Sequence, residues 1–102
     1  ISNNDDMALG AIEALKQAGV DTSKMKIVGI DGTQTGLQAI LDGDMTATVF
    51  QSTSGQAAAS LQAAINLASK EKVNTGISYQ LEDHTIWVPF EKVTEDNVGD
   101  YY

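Results

Sequence analysis

Cysteine is absent from this chain of 102 residues, which removes disulfides, thiolate zinc sites and cysteine nucleophiles together. That absence leaves the cellular compartment open. Arginine is also missing: all six basic residues are Lys, set against 14 Asp and Glu for a net charge of -8. No basic stripe is available to neutralise phosphates, so nucleic acid is not an expected partner. No apolar run approaches the roughly 20 residues that span a bilayer. Neither GxGxxG nor GxxxxGK occurs, so nucleotides lack their usual phosphate cradle. The single proline, Pro89, closes an extended run and confines that strand to an edge or a strand end. The chain opens Ile1-Ser2-Asn3-Asn4 with no Met and no charged-then-apolar leader, which reads as a processed or cut start and as the tail of a strand.

What is present alternates. Asp5 to Gly19 places Ala8, Ile12 and Leu15 at helical spacing, with Asp5 and Asp6 at the N-terminal end and Gly19 as the stop. Lys26 to Ile30 is a short β-branched run closed by Asp31-Gly32 and predicts a buried strand. Thr33 to Leu41 predicts a second helix ending at Asp42-Gly43-Asp44, and Met45 to Phe50 a second strand. After Gln51 to Gly55 a long helix is expected to about Lys70, with an apolar stripe of Ala57, Leu61, Ala64, Ile65 and Ala68 suited to close packing on a sheet. An extended run from Ile86 to Phe90 and a closing helix from Thr94 to Tyr102 complete the expected elements. Trp87, inside that apolar run, reads as a packed side chain.

Helices and strands in this order specify an α/β protein with a parallel sheet. At about 100 residues it is one domain or a piece of one, with little surface left for a fully enclosed pocket. Ligands of such sheets bind outside the carboxyl ends of the strands. Three polar segments meet that description: Asn3-Asn4-Asp5, Asp31 after the first strand, and Gln51 after the second. Amides and a carboxylate can take neighbouring hydroxyls of a neutral polyhydroxy ligand. The same residues also suit plainer duties: Asp31 before Gly is a common turn or cap, Asn4 and Asp5 common helix caps, and Gln51 a common solvated loop residue.

The stretches Asn3-Asn4-Asp5-Asp6-Met7-Ala8-Leu9-Gly10-Ala11, Ile27-Val28-Gly29-Ile30-Asp31-Gly32-Thr33 and Thr46-Ala47-Thr48-Val49-Phe50-Gln51 resemble, in order, the C-terminal part of the bacterial periplasmic sugar-binding proteins. These are the ribose-binding and galactose/glucose-binding family. The tail, Ile86 to Phe90 with Val93 to Asn97, is similar to the end of the galactose/glucose branch. The resemblance implies a two-lobed type I periplasmic binding protein, a parallel-sheet sandwich of which this chain is the C-terminal portion. It implies that Asn4, Asp31 and Gln51 bind the ligand. Gln51 matches the ribose branch, whereas the galactose branch has Asn there, so the sugar is left open. It also implies that residues 1–50 belong to the C-terminal lobe, 51–55 form a hinge crossover, 56–86 pack on the N-terminal lobe, and 87–102 return.

The function so implied is the solute-binding component of an ABC sugar uptake system, holding a monosaccharide such as galactose or glucose without changing it. Its partners would be an ABC permease and a chemoreceptor, with an upstream segment or second chain completing the fold. It would reside in the periplasm, or at the cell surface as a lipoprotein in a Gram-positive organism. The alternative is the effector-binding domain of a LacI-type transcriptional regulator, which shares the fold; its DNA-binding head and basic residues are not visible here. An enzyme would need a nucleophile beside a base, or two carboxylates in contrasting environments. The lone His84 lies in Glu82-Asp83-His84-Thr85, a polar stretch that reads as a hairpin turn. Asp42-Gly43-Asp44 lacks the further oxygens of a calcium loop. No catalytic residue, metal site or cofactor is expected.

Overall fold

The computed structural model describes residues 1–102 and divides into two compact units, Ile1–Gln51 with Phe90–Tyr102, and Ser52–Pro89. The elements in chain order are α1 (Asp5–Gln17), β1 (Val28–Asp31), α2 (Gln34–Leu41), β2 (Ala47–Gln51), α3 (Thr53–Ala68), β3 (Gln80–Glu82), β4 (Thr85–Trp87) and β5 (Phe90–Thr94), with one-turn 3-10 segments at Thr22–Lys24 and Val98–Asp100.

The first unit is built on a three-stranded sheet in the order β1-β2-β5. β1 and β2 run parallel, with Val28 opposite Ala47 and Asp31 opposite Phe50. The opening segment lies extended beside β1, where the Ser2 amide donates to the Val28 carbonyl at 2.8 Å. α1 and α2 pack on each other and on β1 and β2 respectively. Their apolar positions meet Met45, Val93 and Val98 in one core with Ala8, Ile12, Leu37, Ala39 and Ile40. Each fully buried side chain of the size of Leu37 or Val98 contributes roughly 1.5–3 kcal/mol by leaving water.

Both helices begin where their caps dictate. The Asn4 Oδ1 accepts from the Met7 amide at 2.9 Å, and the Thr33 Oγ1 accepts from the Gly36 amide at 3.0 Å, each satisfying one of the free N–H groups of a first turn.

The end of the chain departs from the expected closing helix. β5 runs through Thr94 and pairs antiparallel with β2, with Thr94 opposite Ala47 and Phe90 opposite Gln51. The Asn97 carboxamide accepts from the Thr94 amide at 2.8 Å and donates to the Lys92 carbonyl at 3.0 Å. Pairing with Ala47 thus holds Thr94 as the end of a strand, and Asn97 closes the turn behind it. Only the turn Val98–Asp100 remains helical, and it delivers Val98 to the core. The expected run Ile86 to Phe90 is likewise divided, with Ile86 and Trp87 in β4 and Phe90 opening β5 after Pro89.

In the second unit α3 starts at Thr53, earlier than expected, because the Ser52 Oγ accepts from the Gly55 amide at 3.1 Å and caps it. The buried Asn66 donates to the carbonyls of Val73 and Thr75 and accepts from Gln62, fixing the following loop to the helix. The stripe expected to pack is exposed: Leu61 and Ile65 retain 64% and 49% of their surface. β3 and β4 form a two-stranded hairpin turned by Asp83 and His84, whose φ values of 44° and 65° are those of a type I′ turn. His84 therefore sits in the hairpin turn, exposed. Trp87 is 58% exposed, contrary to the packed position expected, because this ribbon offers it little beyond its single partner strand.

One ion pair ties α1 to the turn after α2. The Lys16 Nζ donates to Asp44 Oδ2 at 2.5 Å, and the Thr22 hydroxyl donates to Asp44 Oδ1 at 3.0 Å. The hydrogen bond from Lys16, helped by that from Thr22, holds the Asp44 carboxyl below its ordinary value, and the bond to Asp44 raises Lys16 above its own. A depressed carboxyl contributes stability above its unfolded pKa that is lost as pH falls through the folded one. A raised ammonium contributes stability below its unfolded pKa, lost as pH rises through the folded value. Wild type should thus lose thermal stability relative to Asp44→Asn as pH falls from 5 towards 3, about the ordinary carboxylate range. The difference should be small for a pair this open to solvent. Parallel melts of the two proteins across that interval read it, and identical curves would show that the pair contributes nothing.

Candidate functional site

The carboxyl ends of β1 and β2 face the same way because the two strands are parallel. Asp31 closes β1 and Gln51 closes β2, which brings the Gln51 Nε2 to 3.5 Å from the Asp31 Oδ1. Both side chains are half-buried. Asn4 reaches the same end through the opening segment beside β1, but its carboxamide caps α1 and makes no hydrogen bond to Asp31 or Gln51. Two of the three expected residues are thus brought together, and the third, Asn4, is engaged at the start of α1.

Asp31 has φ of 118°, a conformation that favours glycine. Holding a non-glycine residue there costs about 1–3 kcal/mol and persists only where the surroundings impose it. The surroundings are specific. Gly32 follows with φ of 74°, and a Cβ there would overlap the Phe50 ring and backbone. The Gly32 amide donates to the Thr48 Oγ1 at 3.3 Å, and the Thr33 amide donates to the Asp5 Oδ2 at 2.8 Å.

Asp5 is the residue that sequence reasoning underestimated. Expected as a helix-terminal carboxylate, it is fully buried. Its Oδ2 accepts from the Thr33 amide and hydroxyl, and its Oδ1 accepts from the Thr48 hydroxyl at 2.6 Å. Gly29 of β1 and Gly36 of α2 close against it, and a Cβ on either would overlap its carboxylate oxygens. No buried side-chain polar atom lacks a partner, as a buried charge requires. An acid in the first turn of a helix is so common that no local pattern distinguishes this one; the signal lies in glycines 24 and 31 residues downstream.

Such a sheet end offers a carboxylate and amide groups with spare valences but no nucleophile beside a base. No group of His, Asp and Glu side chains is placed to hold a metal ion. The chemistry available is hydrogen bonding to a polar ligand.

Known proteins agree with this architecture. The periplasmic binding protein domain matches residues 1–72. The D-galactose/methyl-galactoside binding periplasmic protein of Haemophilus influenzae is 39% identical over 99% of this chain and 30% of its own length. A rhizopine-binding protein of Rhizobium meliloti is 40% identical over the same shares, 99% and 30%. Among solved structures, an ABC transporter solute binding protein from Bacillus halodurans with bound myo-inositol superposes with a TM-score of 0.77 at 38% identity, over 96% of this chain and 30% of that one. The chain spans about 30% of the length of the curated relatives it matches. Its α/β arrangement is that of part of a type I periplasmic binding protein. On the match over residues 1–72 and the relatives that span nearly all of it, the chain belongs to the periplasmic binding protein domain family.

Proposed function

We propose that the protein carrying this segment binds a monosaccharide or a cyclic polyol between two lobes, leaves it chemically unchanged and passes it to an ABC permease. The observation that carries this reading is Asp31, held at φ of 118° at the carboxyl end of a parallel strand with the Gln51 amide beside it. Backbone strain of this kind clusters at ligand sites, and here it falls at the polar carboxyl end of a parallel strand, where such sheets bind their ligands.

The free valences suit hydroxyls. Asp31 keeps Oδ2 without a protein partner, Gln51 keeps Oε1, and Asn4, its Oδ1 committed to the Met7 amide, keeps its NH2. Acceptors and donors in one cluster can take vicinal hydroxyls, each of which both donates and accepts. The relative named for D-galactose and the structure with bound myo-inositol support that ligand class. Residues 1–50 would then belong to the C-terminal lobe, 51–55 to the crossover about which the lobes close and the segment after it to the N-terminal lobe, with the return expected at residue 87 moved to Phe90, since Trp87 pairs with Gln80 in the second unit. The site is extracytoplasmic on this reading, and binding involves no catalysis.

Calorimetric titration of the whole protein with D-galactose, D-glucose, D-ribose and myo-inositol tests it. One of these should bind at micromolar concentration or tighter and be recovered unchanged. Absence of binding across the panel, or conversion of a bound sugar, would overturn the reading.

A further inference from the structure

We infer that Asp5 is a positioning residue of the ligand site, one buried carboxylate that sets the turn after β1 and so aims Asp31. The inference rests on the sugar-binding reading of Asn4, Asp31 and Gln51. Asp5 touches every segment that carries one of them. It follows Asn4 directly in the chain. Its Oδ2 holds the Thr33 amide at 2.8 Å, two residues beyond Asp31. Its Oδ1 receives the Thr48 hydroxyl at 2.6 Å, three residues before Gln51.

The Thr48 hydroxyl is also a relay. Its proton goes to Asp5, and its oxygen accepts the Gly32 amide at 3.3 Å. The two amides that follow Asp31 are therefore both anchored on the Asp5 carboxylate, one directly and one through Thr48. The β1–β2 ladder holds the peptide plane before Asp31, and the two anchored amides hold those after it, so that φ and ψ of Asp31 are set between them, with φ at 118°. Burial makes this anchor stiff, because Asp5 has no exposed surface and hence no water to take its place. Its acceptor-only character is required: every partner presents a proton to it.

Asp5→Ala removes both acceptor oxygens, so the Thr33 amide and the Thr48 hydroxyl lose their partner together. Thr48→Val, close in volume, removes only the relay to Gly32. Val98→Ala is the control, a core truncation in the same unit that touches none of these groups. In the whole protein, amide exchange of Gly32 and Thr33 and the Asp31 backbone resonance report the turn without ligand. Affinity for myo-inositol and D-galactose reports its consequence.

Both Asp5→Ala and Thr48→Val should lose protection at Gly32, and Asp5→Ala also at Thr33, with affinity down at least tenfold. Val98→Ala should lower the melting temperature while leaving protection at these amides and affinity in place. If Asp5→Ala and Thr48→Val keep Gly32 protected, or if Val98→Ala disturbs these amides equally, Asp5 is a packing residue and the inference is wrong. Should wild type bind neither compound, the sugar reading falls, and amide exchange still decides whether Asp5 sets the turn.

Discussion

Replacing Gly36 with Ala is expected to destabilise the first unit by about 3 kcal/mol or more, the upper range for overpacking and the lower range for disrupting a buried charge network. Helix propensity argues the other way, since Gly to Ala inside a helix ordinarily gains about 1 kcal/mol. Tertiary packing decides the sign. The methyl group at Gly36 would overlap the Asp5 carboxylate, whose oxygens are already engaged with Thr33 and Thr48. The carboxylate cannot move aside without leaving buried donors unpaired. Gly29→Ala should behave alike, because its Cβ would meet the same carboxylate from β1. Gly10 supplies the contrast: it lies in the middle of α1 with nothing within 4 Å of its missing Cβ. Gly10→Ala should therefore stabilise by about 1 kcal/mol. Urea denaturation of the three variants reads both signs in one experiment. A Gly36→Ala protein as stable as Gly10→Ala would mean that Asp5 is not held where the structure puts it.

Asp31 is expected to separate affinity from stability. If its carboxylate accepts sugar hydroxyls, Asp31→Asn should lower affinity at least tenfold, since charge-assisted hydrogen bonds contribute roughly 1.5–3 kcal/mol and about 1.4 kcal/mol is a factor of ten. Its stability should change little, because Asn tolerates positive φ at least as well as Asp. Asp31→Gly removes every side-chain contact and relieves the backbone at φ of 118°. That variant should lose affinity about a hundredfold or more, as roughly 2.7 kcal/mol or more of contacts disappear, and yet melt at the same or a higher temperature. The relief of about 1–3 kcal/mol outweighs the 0.5–1 kcal/mol of added chain entropy. Titration with D-galactose and myo-inositol paired with thermal melts decides the matter. Unchanged affinity in both variants would take Asp31 out of the site, and a loss of stability in Asp31→Gly would show that the side chain, not the ligand, requires this conformation.

Four elements were legible in the residue order, because their information is local. The 3.6-residue spacing of Ala8, Ile12 and Leu15 marks α1, the β-branched runs ending at Asp31 and Gln51 mark β1 and β2, and Thr33 marks the start of α2. The strand-end positions of Asp31 and Gln51 follow from that order, since parallel strands joined by helices present their carboxyl ends together. The Thr94 segment defeated the same reasoning. Its acidic start looks like a helix cap, but antiparallel pairing with Ala47 across the sheet claims its backbone first.

Asp5 was illegible for a related cause. Its partners Thr33 and Thr48 lie 28 and 43 residues away, and nothing in the spacing of Asn4-Asp5-Asp6 tells which carboxylate turns inward. The exposure of Trp87 and of Leu61 and Ile65 is of the same kind, because an apolar stripe states that a face wants cover but not where the cover comes from. Periodicity and capping act over one or two turns of chain and so wrote the helices, the strands and their polar ends into the residue order. The φ of Asp31, the burial of Asp5 and the need for glycine at 29 and 36 arise only when segments distant in sequence are pressed into one core, where a single carboxylate must satisfy three donors from two of them.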